Sequence, residues 1–171
     1  MLPLIKKATS SANNTSIAFI TEGLINQWPS HLSDTEKQYI QDKLSKENAC
    51  FIHKPPLLNY FFKTSENNKP HYYKHEEARN AGSYLYDLLK QENIRIIEIT
   101  GNQNPDILTA FLEGLLLSCY SFLKYKKEKN SYFLEEIRII HDDITEVSIT
   151  ELTNLVKAVF FARHLVNEPL S

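Results

Sequence analysis

Glycine is scarce in this chain of 171 residues: there are only four, and Gly23, Gly82, Gly101 and Gly114 are too far apart for any two to shape a phosphate-cradling loop. Nucleotide binding has no motif here. Cysteine is scarcer still, and Cys50 and Cys119 form no Cys-x-x-Cys pair, so neither a disulfide framework nor a cysteine metal centre is expected; both read as free thiols. No apolar run approaches the length of a membrane span, and the opening MLPLIKKATSS has too short an apolar stretch for a signal peptide. The chain therefore reads as soluble and cytoplasmic, with no membrane partner. An excess of one charge is also missing: 19 basic against 21 acidic residues give no electrostatic reason to expect a nucleic-acid partner. Nor does any Gly-x-Ser-x-Gly elbow place a serine nucleophile.

What is present is a well-patterned core. At 42% apolar content the chain can bury a single sizeable interior, and its length favours one domain. Leu2, Leu4 and Ile5, and then Ile17 to Ile20, read as two short strands around a polar turn, the second the better of the two. Ser33 and Glu36 form a capping box for a helix reaching about Asn48. Cys50 to His53 and Leu57 to Phe62, split by Pro55-Pro56, read as a hairpin at a sheet margin. From about Pro70 the apolar period lengthens to 3.6 residues, and Ala78, Ala81, Leu85, Leu88 and Leu89 mark a helix ending near Asn93. Ile94 to Ile99 is a β-branched run suited to the middle of a sheet. Asn104 and Pro105 open another helix, with Leu108, Phe111, Leu112, Leu115, Cys119, Phe122 and Leu123 on its apolar face. Ala110, Gly114 and Ser118 make a row of small residues on it, expected to lie close against the sheet. Phe133 to Ile140 supply a last strand, closed by His141, Asp142 and Asp143. This alternation predicts a three-layer α/β/α domain with a mainly parallel mixed sheet and helices on both sides.

Candidate chemistry is thin. His71 and His75 are four apart near a helix start and could share a face with Glu76 as metal ligands, but no third and fourth ligand follows at recognisable spacing, so an exposed histidine pair is the simpler reading. His141-Asp142-Asp143 stands at a strand end, where open α/β sheets often carry function, although a polar turn is commoner there. Lys124, Lys126, Lys127 and Lys129, interleaved with Tyr125, could attract an anion. Glu128 interrupts them, and lysines at a helix end complement the helix dipole.

The most informative stretch runs from Ser148 to Ser171. Ser148 and Glu151 form a capping box, and Leu152, Leu155, Val156, Val159, Ala162, Arg163 and Val166 recur at steps of three and four, with the Arg163 stem free to lie along the apolar face. Pro169 forces the helix to stop near Asn167. An amphipathic helix with so firm a stop predicts a connection to a further domain, which divides the chain into a domain over 1–147 and a connecting helix over 148–171.

Ala162-Arg163-His164-Leu165-Val166-Asn167-Glu168-Pro169 resembles the segment that closes the amino-terminal domain of the leucine aminopeptidase (cytosol aminopeptidase) family. The block from Glu113 to Lys126, with Gly114, Leu117, Tyr120, Phe122 and Tyr125 between them, is similar to a helix of the same domain, in the same order and at about the same separation. Leu170-Ser171 departs from the Pro-Asn that often follows in the family. The resemblance implies a macro domain-like fold, and an amino-terminal domain that is inactive alone. It also implies a catalytic domain with two divalent ions (zinc, manganese or magnesium), peptide substrates and a hexamer. None of the family's metal-ligand motifs occurs here, so the resemblance assigns no catalytic, cofactor-binding or metal residue to this chain. The alternative is a freestanding macro-like module binding a nucleotide or small ligand, and a third is an independent metal-dependent enzyme using His71, His75 or His141.

Overall fold

The computed structural model describes residues 2–10, 15–21, 25, 28–29, 31–65, 69–101, 104–122, 124–125 and 132–168. Along the chain run β1 (Leu4–Lys7), β2 (Ser16–Thr21), α1 (Asp34–Leu44), β3 (Ala49–Lys54), β4 (Leu57–Lys63), α2 (His71–Gln91), β5 (Ile96–Gly101), α3 (Pro105–Ser118), β6 (Glu136–Ile140) and α4 (Glu146–Asn167). The strands form one sheet in the order β1-β6-β5-β2-β4-β3, parallel everywhere except at the β3–β4 margin. A tight turn through Pro55-Pro56 joins that pair, with Lys54 facing Leu57. β5 lies inside the sheet, as its β-branched composition suggests.

Alternation along the strands sorts their side chains onto two faces. Ala18, Ile20, Leu58, Tyr60, Phe62, Ile97, Ile99, Ile137 and Ile139 point to one side, where α2, α3 and α4 cover them. Phe19, Cys50 and Phe61 point to the other and meet Ile40 and Leu44 of α1. The central strands are thus buried twice, which is why β2 and β4 read as near-continuous apolar runs. The layers are uneven: of the described helices, three lie on one face and one on the other. Where α1 does not reach, the second face carries charge: Lys6, Arg138 and Glu98 sit opposite one another across β1, β6 and β5. Glu136 bridges Lys6 at 3.0 Å and Arg138 at 2.6 Å, and Arg138 approaches the buried Glu98 carboxylate at 3.7 Å.

Local signals account for most element ends. Ser33 and Glu36 form the expected capping box on α1, and the Glu36 carboxyl is held down to about 2, first by the hydrogen bond from Lys54 and then by those from Ser33. α1 stops at Leu44, earlier than Asn48, because the turn after it delivers Ala49 into register with Phe62. α2 ends in a Schellman motif: Asn93 adopts a left-handed φ of 53°, and the Asn93 and Ile94 amides donate to Lys90 and Leu89. That turn consumes Ile94, so β5 begins at Ile96. β6 likewise begins at Glu136 and not at Phe133. On α3 the Asn104 side chain accepts from the Asp106 amide at 2.9 Å, with Pro105 leading the helix.

Two expectations are corrected. α4 is capped by Thr145, whose Oγ1 accepts from the Ser148 amide at 3.1 Å, so the helix starts at Glu146 and not at a Ser148 cap. The reason is a hydrophobic staple: Ile144 before the cap and Ile149 after it are both buried in the main core, whereas a Ser148 cap would ask the exposed Val147 to play that part. The small-residue row of α3 packs against α2 and not against the sheet. A Cβ on Gly114 would lie 2.0 Å from the Arg79 carbonyl oxygen, and one on Gly82 would lie 2.1 Å from that of Phe111. Ser118 continues the contact by donating to Ser83 at 2.9 Å. Only glycine lets two helix backbones come this near.

Candidate functional site

The described residues of the segments 113–125 and 162–168, far apart in sequence, meet in the folded chain. α3 ends at Ser118, short of the Leu123 that its periodicity suggests, and the chain then turns along the carboxy-terminal half of α4. Tyr120 is the hinge of this seam. Its ring packs edge-on against Phe160 at 5.1 Å, its hydroxyl accepts from Asn167 Nδ2 at 3.1 Å, and it lies 3.4 Å from His164 Nδ1. Arg163 donates to the Leu117 carbonyl at 3.2 Å and places its guanidinium over the Tyr120 ring. Lys124 pairs with Glu168, whose carboxyl it holds below the usual range by that hydrogen bond and then by its charge. The lysine is thus not a dipole partner of α3, whose last turn lies well before it. Lys126, Lys127 and Lys129 lie outside the described residues, as does Pro169. Glu113, at the other end of its block, accepts from Arg79 Nε of α2 at 2.9 Å.

A cavity of about 380 Å³ opens at this seam, lined by Tyr120, Ser121, Phe160, Phe161, His164, Leu165 and Glu168. α4 makes the surface around it apolar. Its inward stripe is Ile149, Leu152 and Val156, with Phe160 partly buried against the same core. Leu155, expected inside, points outward at 49% exposed. Phe161, Leu165 and Val166 are 66%, 61% and 84% exposed, and every described residue after Phe160 on this helix is exposed. Helical geometry explains the split, since neighbouring positions are about 100° apart and one stripe cannot hold both Phe160 and Phe161.

The other candidates remain separate. His71 and His75 stack with ring centroids 4.2 Å apart, His71 exposed and His75 half-buried, while Glu76 turns toward Arg79 at 3.8 Å. Burial, then the nearby His71 and Arg79, lowers the His75 pKa, against the pull of Asp106 and Glu113. His141 accepts from the Asp143 amide at 3.2 Å, and Lys7 donates to the Asp142 carbonyl at 3.0 Å, so this strand end is a hydrogen-bonded polar turn. Among the described residues, no three His, Cys, Asp or Glu side chains gather as a metal centre. Cys50 and Cys119 are free and buried, and burial pushes their thiols up to about 11 and about 12. No helix among the described residues is long and apolar enough to cross a membrane.

Sequence reasoning missed the polar half of the seam. Tyr120, Asn167 and the Lys124–Glu168 pair carry no local signal for one another, because their contacts depend on where α3 stops.

No family model matches the chain. A probable cytosol aminopeptidase of Clostridium tetani is 40% identical over 70 residues, a segment covering 37% of this chain and 14% of that protein. A mutant tomato leucine aminopeptidase shares the fold with a TM-score of 0.66 at 14% identity, over 98% of this chain and 38% of its own. The bottromycin maturation enzyme BotP, solved in complex with manganese, does so with a TM-score of 0.62 at 13% identity, over 90% of this chain and 32% of its own. This chain thus spans well under half the length of each of these proteins. It shares its fold with a part of the tomato leucine aminopeptidase and of BotP, and a segment of 70 residues with the clostridial protein.

Proposed function

We propose that this chain is the non-catalytic amino-terminal domain of a leucyl aminopeptidase-like metallopeptidase, packing against a catalytic domain and supporting oligomer assembly. The observation that carries the reading is the fold match over 98% of this chain to 38% of a leucine aminopeptidase. On this reading the two divalent ions (zinc, manganese or magnesium), the peptide substrates and the hexamer contacts belong to the whole enzyme, in the cytoplasm, and the apolar end of α4 is the face turned to the catalytic domain. Burial of such surface contributes about 25 cal/mol per Å² removed from water, enough to make a groove with several exposed apolar side chains an effective docking face.

The polypeptide of 171 residues is expected to show no aminopeptidase activity. Leucine and other amino-acid anilides, with manganese or zinc added, provide the assay. Metal-dependent turnover well above a catalytically dead control would overturn the proposal.

The same reading predicts concentration-dependent association of the isolated polypeptide through the uncovered end of α4. Sedimentation across a wide concentration range should show Phe161→Ser reducing it, because Phe161 is outward and its loss leaves the fold intact. Phe160→Ser should instead lower stability, since that ring packs on the core. A parent that stays monomeric throughout would show that this face needs no cover.

A further inference from the structure

We propose that His71 and His75 form a two-imidazole site for one borderline transition-metal ion such as Zn²⁺ or Ni²⁺, its other coordination positions filled by water. The proposal is independent of the aminopeptidase reading, whose metal ions would sit in another domain. The two residues lie one turn apart on the first two turns of α2 and so share a face. Nitrogens that both bind one zinc ion at about 2.0–2.1 Å are at most about 4 Å apart, and ring centroids 4.2 Å apart put the two imidazoles within reach of one ion once their rings rotate to face it. Imidazole is the donor that borderline ions favour.

A second observation points the same way. His75 Nε2 is buried with no hydrogen-bond partner. Such an orphaned nitrogen is costly in a folded protein, and coordination to an ion would satisfy it. Coordination needs a neutral ring; burial, aided by the charges of His71 and Arg79, favours the neutral form of His75. The amino-terminal end of a helix disfavours a cation. Against that stand Asp106 and Glu113 of α3, whose negative charges act on His75 from the helix packed beside it. α2 begins without a side-chain cap and with no acidic residue in its first turn, so a chelated ion would also tie His71, the first residue of the helix, to the turn that follows. No third imidazole, thiol or carboxylate completes the set among the described residues, which makes this an open site of modest affinity.

The test is calorimetric titration of the 171-residue chain with zinc chloride and with nickel sulfate near neutral pH, alongside His71→Ala, His75→Ala and, as a control, His141→Ala. Circular dichroism checks that each variant folds. One ion should bind per chain, the affinity should fall roughly tenfold or more when either ring is lost, and His141→Ala should leave it unchanged. Binding should also weaken at lower pH, because coordination needs a neutral imidazole. Histidine side-chain NMR gives a readout that does not depend on the variants: zinc should move the His71 and His75 ring resonances ahead of those of the other four histidines. Binding that survives both substitutions, an absence of binding by the folded parent, or zinc shifts confined to other histidines would each overturn the proposal.

Discussion

Gly114→Ala should lower the stability of this domain by about 3 kcal/mol, even though alanine is the better helix former by roughly 1 kcal/mol. The methyl group would stand 2.0 Å from the Arg79 carbonyl oxygen and within 2.7 Å of the Arg79 Cα. These are backbone atoms of α2, which cannot rotate away as a side chain would. α2 and α3 must separate, which loosens the Arg79–Glu113 pair and the Ser118–Ser83 hydrogen bond on either side of the contact. Gly82→Ala meets the same obstacle from the other helix, 2.1 Å from the Phe111 carbonyl oxygen. Because both substitutions push the same helices apart, their combined cost should be less than the sum of the two. Chemical denaturation of the single and double variants measures this, and an unchanged or higher midpoint for Gly114→Ala would show that the helices do not touch there.

Phe111→Ala should cost about 3–5 kcal/mol, the range for removing a fully buried aromatic ring. Phe111 is inaccessible to solvent and packs its ring on Phe62 at 6.1 Å and on Tyr60 at 6.3 Å, joining α3 to β4. Phe111→Leu keeps most of the volume and should cost less than about 1.5 kcal/mol. The single tryptophan gives a useful reporter, because Trp28 packs near Phe61 on the opposite face of the sheet. Trp28 fluorescence and far-ultraviolet circular dichroism should therefore unfold together at a lower denaturant concentration in Phe111→Ala. If the midpoint moved no more than for a surface substitution, or if Trp28 kept its parent midpoint while the helices melted, the two faces would not form one cooperative unit.

The residues that announce this fold act locally. Ser33 with Glu36, Asn104 with Pro105 and Asn93 at the end of α2 each satisfy backbone groups of their own helix, so their meaning survives without the rest of the chain. The thick apolar runs of β2 and β4 similarly state that both faces are covered. What a single sequence does not carry is the choice among partners. The row Ala110, Gly114 and Ser118 shows that something comes close, but whether that is a strand or a helix depends on Gly82, more than a full helix away along the chain. The α4 cap shows the same limit: Thr145 and Ser148 each begin a plausible motif, and the decision rests on whether Ile144 or Val147 is buried. In the candidate site, the outward Phe161 and Leu165 follow from helical periodicity. The bonds from Tyr120 to Asn167 and from Lys124 to Glu168 do not, since they join segments brought together only by the path after Ser118.

The sheet order also bears on how the domain is made. Among the described strands β1 pairs only with β6, so β1 finds its neighbour, including the Lys6–Glu136 contact across 130 residues of sequence, only after β2 to β5 have emerged. Until then β2, β4 and β5 can already lie side by side under α2, while Leu4 to Lys7 wait without a ladder to join. Synthesis should thus give a protease-resistant intermediate in which Leu4 to Lys7 are still open to cleavage, and those residues should be the last to gain protection.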